Sequence, residues 1–249
     1  HIDVLPTLAD LCQLDLPAGV SLDGTSLVLP IRGDTAVLRE RTLFVHSQRV
    51  PDPIKWRKSS VMTEQWRLVN REELYDIKAD PAQAENIAAE HPEVVAQMQS
   101  SYDTWWESLS TSFDKKIRIS IGAEAANPVD LNPHDWHVTD QSQSVWNHRQ
   151  VRRGMIGNGY WAVDVAEAGQ YLITLRRWPA YLDDQIEATH ARLKIGGTDY
   201  ETDVLTESST TTFSVMLDPG PTTLQTWLTL PSGETRGAYY VNVERTTSD

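Results

Sequence analysis

Hydrophobic residues in the first 110 positions follow a helical period at two places, with short alternating segments between them. Residues 3–14 are predicted to form a helix, because Leu5, Leu8 and Cys12 fall on one face. Residues 91–109 predict a longer helix that starts with Pro92 at its first position. Alternation predicts short strands at 42–48, 60–63, 66–69 and 73–76. We therefore expect a small antiparallel sheet covered by a long helix.

The pattern changes after about Lys116 into short apolar stretches separated by turns. Glycine-containing turns such as Gly196-Gly197 and Asp218-Pro219-Gly220 punctuate this half of the chain. Strands are predicted at 117–121, 161–165, 171–175, 191–195, 211–217, 223–230 and 239–244. Seven strands at this spacing indicate a β-sandwich. The predicted fold class is α+β, with one domain at 1–115 and an appended all-β sandwich domain at 116–249.

The net charge and the cysteine count exclude or disfavour several kinds of binding partner and site. The chain has 22 Lys and Arg against 35 Asp and Glu, a net charge of −13, which disfavours nucleic acid and anionic membranes. Cys12 is the single cysteine, so an intrachain disulfide and a cysteine-based zinc site are excluded, and we interpret Cys12 as a buried core residue. Because the chain opens at His1 with no initiator Met or leader, we expect it to be a fragment.

Residues 46–58 form a basic stretch in this acidic chain. The candidate substrate-binding residues within it are His46, Gln48, Arg49, Lys55 and Arg57. Such side chains suit an anionic group such as sulfate, phosphate or carboxylate. A solvated charge run after an edge strand is an equal alternative.

A second cluster, His134-Asp135-Trp136-His137, places two imidazoles around a carboxylate. Metal sites use such residues, but a third ligand at a recognisable spacing is missing. Hydrogen-bonding residues at a seam between the two domains are the favoured interpretation. The sequence therefore predicts no metal site and no catalytic residue in this chain.

Several short motifs resemble the C-terminal region of type I sulfatases. They are His1-Ile2-Asp3-Val4-Leu5-Pro6-Thr7-Leu8, Leu22-Asp23-Gly24-Thr25-Ser26-Leu27, Trp66-Arg67-Leu68-Val69, Glu73-Leu74-Tyr75-Asp76-Ile77, Glu85-Asn86-Ile87-Ala88 and His91-Pro92-Glu93-Val94. The resemblance covers about residues 1–110 and implies an alkaline-phosphatase-like fold and hydrolysis of sulfate esters. It also implies a bacterial protein that is periplasmic or secreted.

In that family a formylglycine nucleophile, made within a Cys/Ser-x-Pro-x-Arg motif, lies beside a calcium ion. Cys12 is followed by Gln-Leu-Asp-Leu, which is not this motif. The resemblance therefore implies that the nucleophile and the calcium ligands belong to a missing N-terminal catalytic domain. This chain alone is expected to be inactive and to line the pocket for a sulfated small molecule or polysaccharide.

Two alternatives remain open. The first is a non-catalytic carbohydrate-binding β-sandwich module, because the chain has nine Trp, a residue common on carbohydrate-handling surfaces. The second is part of a related phosphoester hydrolase, since both hydrolase classes bind tetrahedral anions.

Overall fold

The structure is a computed structural model, and it describes residues 1–38, 41–48, 50, 52–138 and 144–246. The chain divides into two compact units, His1–Asp114 and Lys115–Asp249. No helix in the described part of the chain is long and apolar enough to cross a membrane.

The first unit holds three α-helices and one sheet. The helices are α1 (Val4–Cys12), α2 (Val28–Ile31) and α3 (Pro92–Ser110), and a 3₁₀ turn covers Ala36–Leu38. The antiparallel sheet has the order β1 (Leu43–His46), β2 (Ser59–Met62), β3 (Trp66–Val69) and β4 (Glu73–Asp76). Its core side chains are Val61, Leu68 and Leu74, which form one buried cluster with Met98 and Tyr102 of α3.

The large apolar side chains of helix α1 are exposed. Leu5, Leu8 and Leu11 are exposed, and Cys12 is exposed as well. The interpretation of Cys12 as a buried core residue is therefore wrong. The pattern does predict a helix at this place, but an apolar stripe alone does not state what covers it.

The second unit is a β-sandwich. One sheet has the order β10 (Thr198–Asp203), β9 (His190–Ile195), β12 (Gly220–Thr229), β7 (Tyr160–Val165) and β5 (Ile119–Ile121), with β13 (Thr235–Arg236) also paired to β12. The other has the order β11 (Thr210–Leu217), β8 (Gly169–Arg176), β14 (Tyr240–Arg245) and β6 (Val129–Leu131). A short helix, α4 (His148–Arg152), precedes β7.

Strict alternation places one side of each long strand in the core. In β8, Tyr171, Ile173 and Leu175 are buried, while the residues between them are not. In β12, Leu224 and Leu228 face the same interior from the other sheet. This period of two gives each sheet one apolar and one polar face, which is the condition for a two-layer sandwich.

The predicted α+β class is wrong for the chain as a whole, which is mainly β. The described residues form fourteen strands in three sheets, and only one helix, α3, exceeds nine residues. The long helix dominates the sequence pattern because its three-and-four spacing is strong, whereas three- and four-residue strands leave weak signals.

Gly122 marks a tight contact at the end of β5 and provides a test of the sandwich packing. Its φ is +75°, and a Cβ there would lie 2.1 Å from the hydroxyl of the buried Tyr171. We expect Gly122→Ala to lower the free energy of unfolding by about 2–4 kcal/mol, because it adds overpacking to an unfavourable φ.

The matched control for this substitution is Gly197→Ala. Gly197 has a similar φ of +78° but no atom within 4 Å of the added Cβ. It should cost only about 1 kcal/mol, since the backbone conformation is the sole penalty. Denaturant unfolding of both variants makes the comparison, and equal losses would contradict the packing assigned to Tyr171.

Candidate functional site

The predicted binding residues His46 and Gln48 are engaged in hydrogen bonds within the first unit. The Gln48 side-chain oxygen accepts from the Ile54 amide at 2.9 Å, and its Nε2 donates to the Ile54 carbonyl at 2.7 Å. Nε2 also donates to Nδ1 of His46 at 2.9 Å. The His46 proton is therefore on Nε2, which lies 2.6 Å from the Tyr102 hydroxyl oxygen and donates to it.

Tyr102 makes the centre of this arrangement. Its hydroxyl oxygen also accepts from the Trp56 amide at 3.0 Å. The Tyr102 ring stacks on Trp56, with centroids 3.7 Å apart, and on His46 at 5.6 Å. Burial lowers the pKa of His46, which agrees with a neutral imidazole that accepts at Nδ1. These hydrogen bonds and ring contacts hold His46 and Trp56 against α3.

The other predicted residues have separate surroundings. Lys55 Nζ lies 2.8 Å from a carboxylate oxygen of Asp103 on α3, and Arg57 is exposed. Arg49 lies outside the described residues. None of the four described side chains lines the cavity beside β6, α4 and β14 or the one beside residues 204–208. Their part in binding an anion stays a prediction.

The two imidazoles of the His134–His137 cluster have different partners. His134 Nε2 donates to the Trp146 carbonyl at 2.5 Å, whereas the His137 ring stacks on Tyr160 with centroids 5.1 Å apart. Burial is the main cause of the lowered pKa of His137, with Lys116 and Arg118 adding to it. Within the described ranges, no group of three His, Cys, Asp or Glu side chains is placed to hold a metal ion.

A cavity of about 350 Å³ opens at one end of the sandwich, beside β6, α4 and the start of β14. Its polar lining residues are Asp130, Asn132, His134, Asn147, His148 and Tyr240. Leu131, Val145 and Val151 supply its apolar floor. The sequence pattern points to only one of these side chains, His134, because the rest are scattered over three elements.

Several polar atoms of this cavity have unused hydrogen-bonding capacity. Asn147 Oδ1 caps α4 by accepting from Arg149 and Gln150 amides at 3.0 and 3.2 Å, which leaves its two Nδ2 protons. Asp130 uses Oδ1 to accept from Asn242 at 2.8 Å. No hydrogen bond within the described ranges engages the His148 ring or the Tyr240 hydroxyl. The cavity therefore presents both donors and acceptors.

Aromatic side chains flank the cavity. Trp146, between the lining residues Val145 and Asn147, has 43% of its surface exposed, and its ring lies 6.0 Å from that of His134. Tyr181 is 84% exposed and close enough to Tyr240 for its charge to act on that residue. Burial, and secondarily Tyr181, raises the pKa of Tyr240, so its hydroxyl stays protonated at neutral pH.

Two buried arginines hold the loops at this end of the sandwich. Arg177 Nη2 donates to the Val151 and Arg152 carbonyls at the end of α4, and Arg177 forms an ion pair with Glu187. Arg236 Nη2 donates to the Ile186 carbonyl at 3.2 Å, in the loop between β8 and β9. A second cavity of about 450 Å³ lies beside that loop, against residues Val204–Ser208.

No family model and no curated protein matches this chain. Solved structures that resemble about half of it include a ruminal GH26 endo-β-1,4-mannanase, with 18% identity and a TM-score of 0.31 over 49% of this chain and 26% of that one. Another is the CBM35 of Cellvibrio japonicus Abf62, with 17% identity and a TM-score of 0.30 over 48% of this chain and 94% of the module. A family 35 carbohydrate-binding module from Clostridium thermocellum has 15% identity and a TM-score of 0.33 over 49% and 100%. The chain thus spans about a quarter of the mannanase.

The resemblance to sulfatases, and the sulfuric ester hydrolase activity that it implies, are corrected by these findings. The structures found are carbohydrate-binding modules and glycoside hydrolases. Two residues of the motifs that suggested a sulfatase have a local role in turns. Asp76 accepts from the Lys78 and Ala79 amides, and Asn86 accepts from the Leu74 and Ala88 amides. Such turns are required by a tight meander and do not specify a family.

The His46 network predicts a pH-dependent loosening of the first unit. The pKa of His46 in the folded state lies below the ordinary value of 6.5. Below pH 6.5, therefore, His46 binds a proton more readily in the unfolded state than in the folded state. Stability is therefore fully present above pH 6.5 and is lost as pH falls through the folded-state pKa. Protection of the Ile54 and Trp56 amides in hydrogen exchange, corrected for intrinsic rates, should fall accordingly.

The His46→Gln variant should lack most of this pH dependence, because its amide does not titrate. His91→Gln is the control, since His91 is a half-exposed residue outside the Gln48–Tyr102 network. Protection that is independent of pH between 7.5 and 5, or that changes equally in all three proteins, would contradict the assigned network.

Proposed function

We propose that the sandwich unit is a non-catalytic carbohydrate-binding module whose saccharide ligand occupies the cavity beside β6, α4 and β14. The observation that carries the proposal is the combination of unused polar groups in one cavity with the exposed ring of Trp146, which lies between two lining residues in the chain. A sugar presents hydroxyl groups at its rim and C–H groups on its faces. Hydroxyls pair with the Asn147 amide and the Tyr240 hydroxyl, and a sugar face packs on Trp146.

Binding without hydrolysis follows from the carboxylates of the cavity. A glycosidase of the usual kind needs two carboxyl groups on either side of the scissile bond, about 5–9.5 Å apart. Among the described lining residues Asp130 is the single carboxylate, and Asn242 already occupies one of its oxygens. The site therefore has the groups for recognition and lacks the acid–base pair.

The sulfated saccharide expected from the sequence belongs to this ligand class, and we keep it within the proposal. A periplasmic or secreted location suits such a module, because polysaccharides are met outside the cytoplasm.

The substitution Trp146→Ala tests the proposal. Loss of one stacking aromatic is worth about 0.5–1.5 kcal/mol, so affinity should fall about three- to tenfold. Calorimetric titration of the full chain with manno-, xylo- and galacto-oligosaccharides and their acidic counterparts gives the constants.

Trp227→Ala is the matched control. Trp227 lies on the outer face of the other sheet, where its ring is 4.5 Å from the Arg192 guanidinium. Its removal should leave binding unchanged. Absence of binding to every saccharide, or equal losses in the two variants, would contradict the proposed site.

A further inference from the structure

The end of the sandwich that holds the cavity carries a cluster of arginines. Nine arginines occur in residues 115–249, and six belong to this end: Arg149, Arg152, Arg153, Arg176, Arg177 and Arg236. In the described part of the chain, only Arg177 among these six forms an ion pair with a carboxylate. Arg192 and Arg245, which lie elsewhere in the sandwich, are both paired. Carboxylates lie at this end as well, since Asp130 lines the cavity, Glu187 pairs with Arg177 and Asp184 acts on the same arginine.

Two of the unpaired arginines stand next to cavity-lining residues. Arg176 is directly opposite Tyr240 in the β8–β14 register, so the two side chains are neighbours on the outer face of the sheet. Arg152 follows His148 by four residues on α4, and residues with this spacing share a helix face. The Arg152 side chain is exposed and that of Arg176 is half-exposed. Neither arginine lines the cavity itself, but each is a neighbour of a residue that does.

A second buried cation, Arg236, lies beside the ion pair of Arg177 with Glu187. Arg236 is 2% exposed and Arg177 is 6% exposed, and the Nε atom of each has no hydrogen-bond partner. Arg236 donates to the Ile186 carbonyl and the Tyr239 hydroxyl, which are neutral acceptors. Burial, and then the charge of Arg236, lowers the pKa of Arg177, while Tyr239 and Asp184 act in the opposite direction. Glu187 balances the charge of Arg177, so Arg236 is the one of these two cations that has no paired carboxylate among the described residues, and a protein interior screens its charge poorly.

We infer that the saccharide bound here carries an oxyanion, a carboxylate or a sulfate, which Arg152 and Arg176 hold at the cavity mouth. The inference rests on the proposed function. Guanidinium groups match both oxyanions, because their parallel N–H groups make two bonds at once. Neutral parts of the sugar then meet Trp146, Asn147 and Tyr240. Asp130 restricts the site further, since a second anionic group beside it would be repelled.

The test uses two matched pairs of tetrasaccharides and the full chain. One pair is a glucuronic acid-containing xylo-oligosaccharide and its carboxyl-reduced form. The other is a sulfated galacto-oligosaccharide and its desulfated form. Calorimetry should show that at least one acidic member binds about tenfold or more tightly than its neutral partner, with affinity falling as salt rises. The pair that shows the difference identifies the carboxylate or the sulfate as the recognised group.

Substitutions then assign the effect to the two arginines. Arg176→Gln and Arg152→Gln should each weaken binding of the acidic member about tenfold and leave binding of its neutral partner unchanged. Arg192→Gln, which removes the same charge from the outer face of the other sheet, should change neither.

The outcomes separate this inference from the proposed function. Equal binding of acidic and neutral members in both pairs overturns the oxyanion inference and leaves the carbohydrate-binding proposal standing. No binding of any tetrasaccharide overturns both. A loss in Arg192→Gln equal to that in Arg152→Gln and Arg176→Gln also overturns the inference, because the net charge of the unit then accounts for the preference.

Discussion

The candidate site depends on the hydrogen bonds that the guanidinium groups of Arg177 and Arg236 donate to backbone carbonyls. Arg177 binds the last carbonyls of α4, and Arg236 binds the Ile186 carbonyl in the loop between β8 and β9. The Tyr239 hydroxyl continues the network by donating to the Met155 carbonyl at 2.6 Å. The end of α4, the segment at Met155 and the loop between β8 and β9 are thus held by side chains that belong to the two sheets or lie next to them. Loops need such fixed points, because they lack the ladder bonds that hold strands.

The sequence predicts the strands of the sandwich best where alternation is long. Alternation indicates a strand at 211–217, and the structure has β11 at Thr210–Leu217. It does not reveal β6, which has three residues, or β10, whose sequence Thr-Asp-Tyr-Glu-Thr-Asp offers one apolar position. An edge strand forms backbone hydrogen bonds with a neighbouring strand on one side only, and few of its side chains need to be buried. Hydrophobic periodicity therefore has no way to detect it.

The cavity was harder to foresee for a different reason. The densest cluster of charged and polar residues in the sequence is 46–58. In the structure, His46 and Gln48 of this cluster form internal hydrogen bonds, and Lys55 pairs with Asp103. The cavity instead combines Asp130, His148 and Tyr240, which are far apart along the chain. A usable signal was present in the basic runs Arg152-Arg153 and Arg176-Arg177. The sequence alone does not show that Arg176 lies beside Tyr240, because this follows from the pairing of β8 with β14.

Gly154 connects the geometry of α4 to the arginine pair. Its φ of +62° follows the C-terminal Arg153 of that helix, where a left-handed residue ends the turn. A Cβ at this position would lie 3.1 Å from Arg236 Nη1 and 3.5 Å from Arg177 Nη2. The glycine therefore meets two demands at once, the backbone turn and room for two guanidinium groups. His148 and Val151 of the same helix line the cavity. The packing of Gly154 against Arg177 and Arg236 therefore also positions this wall of the cavity.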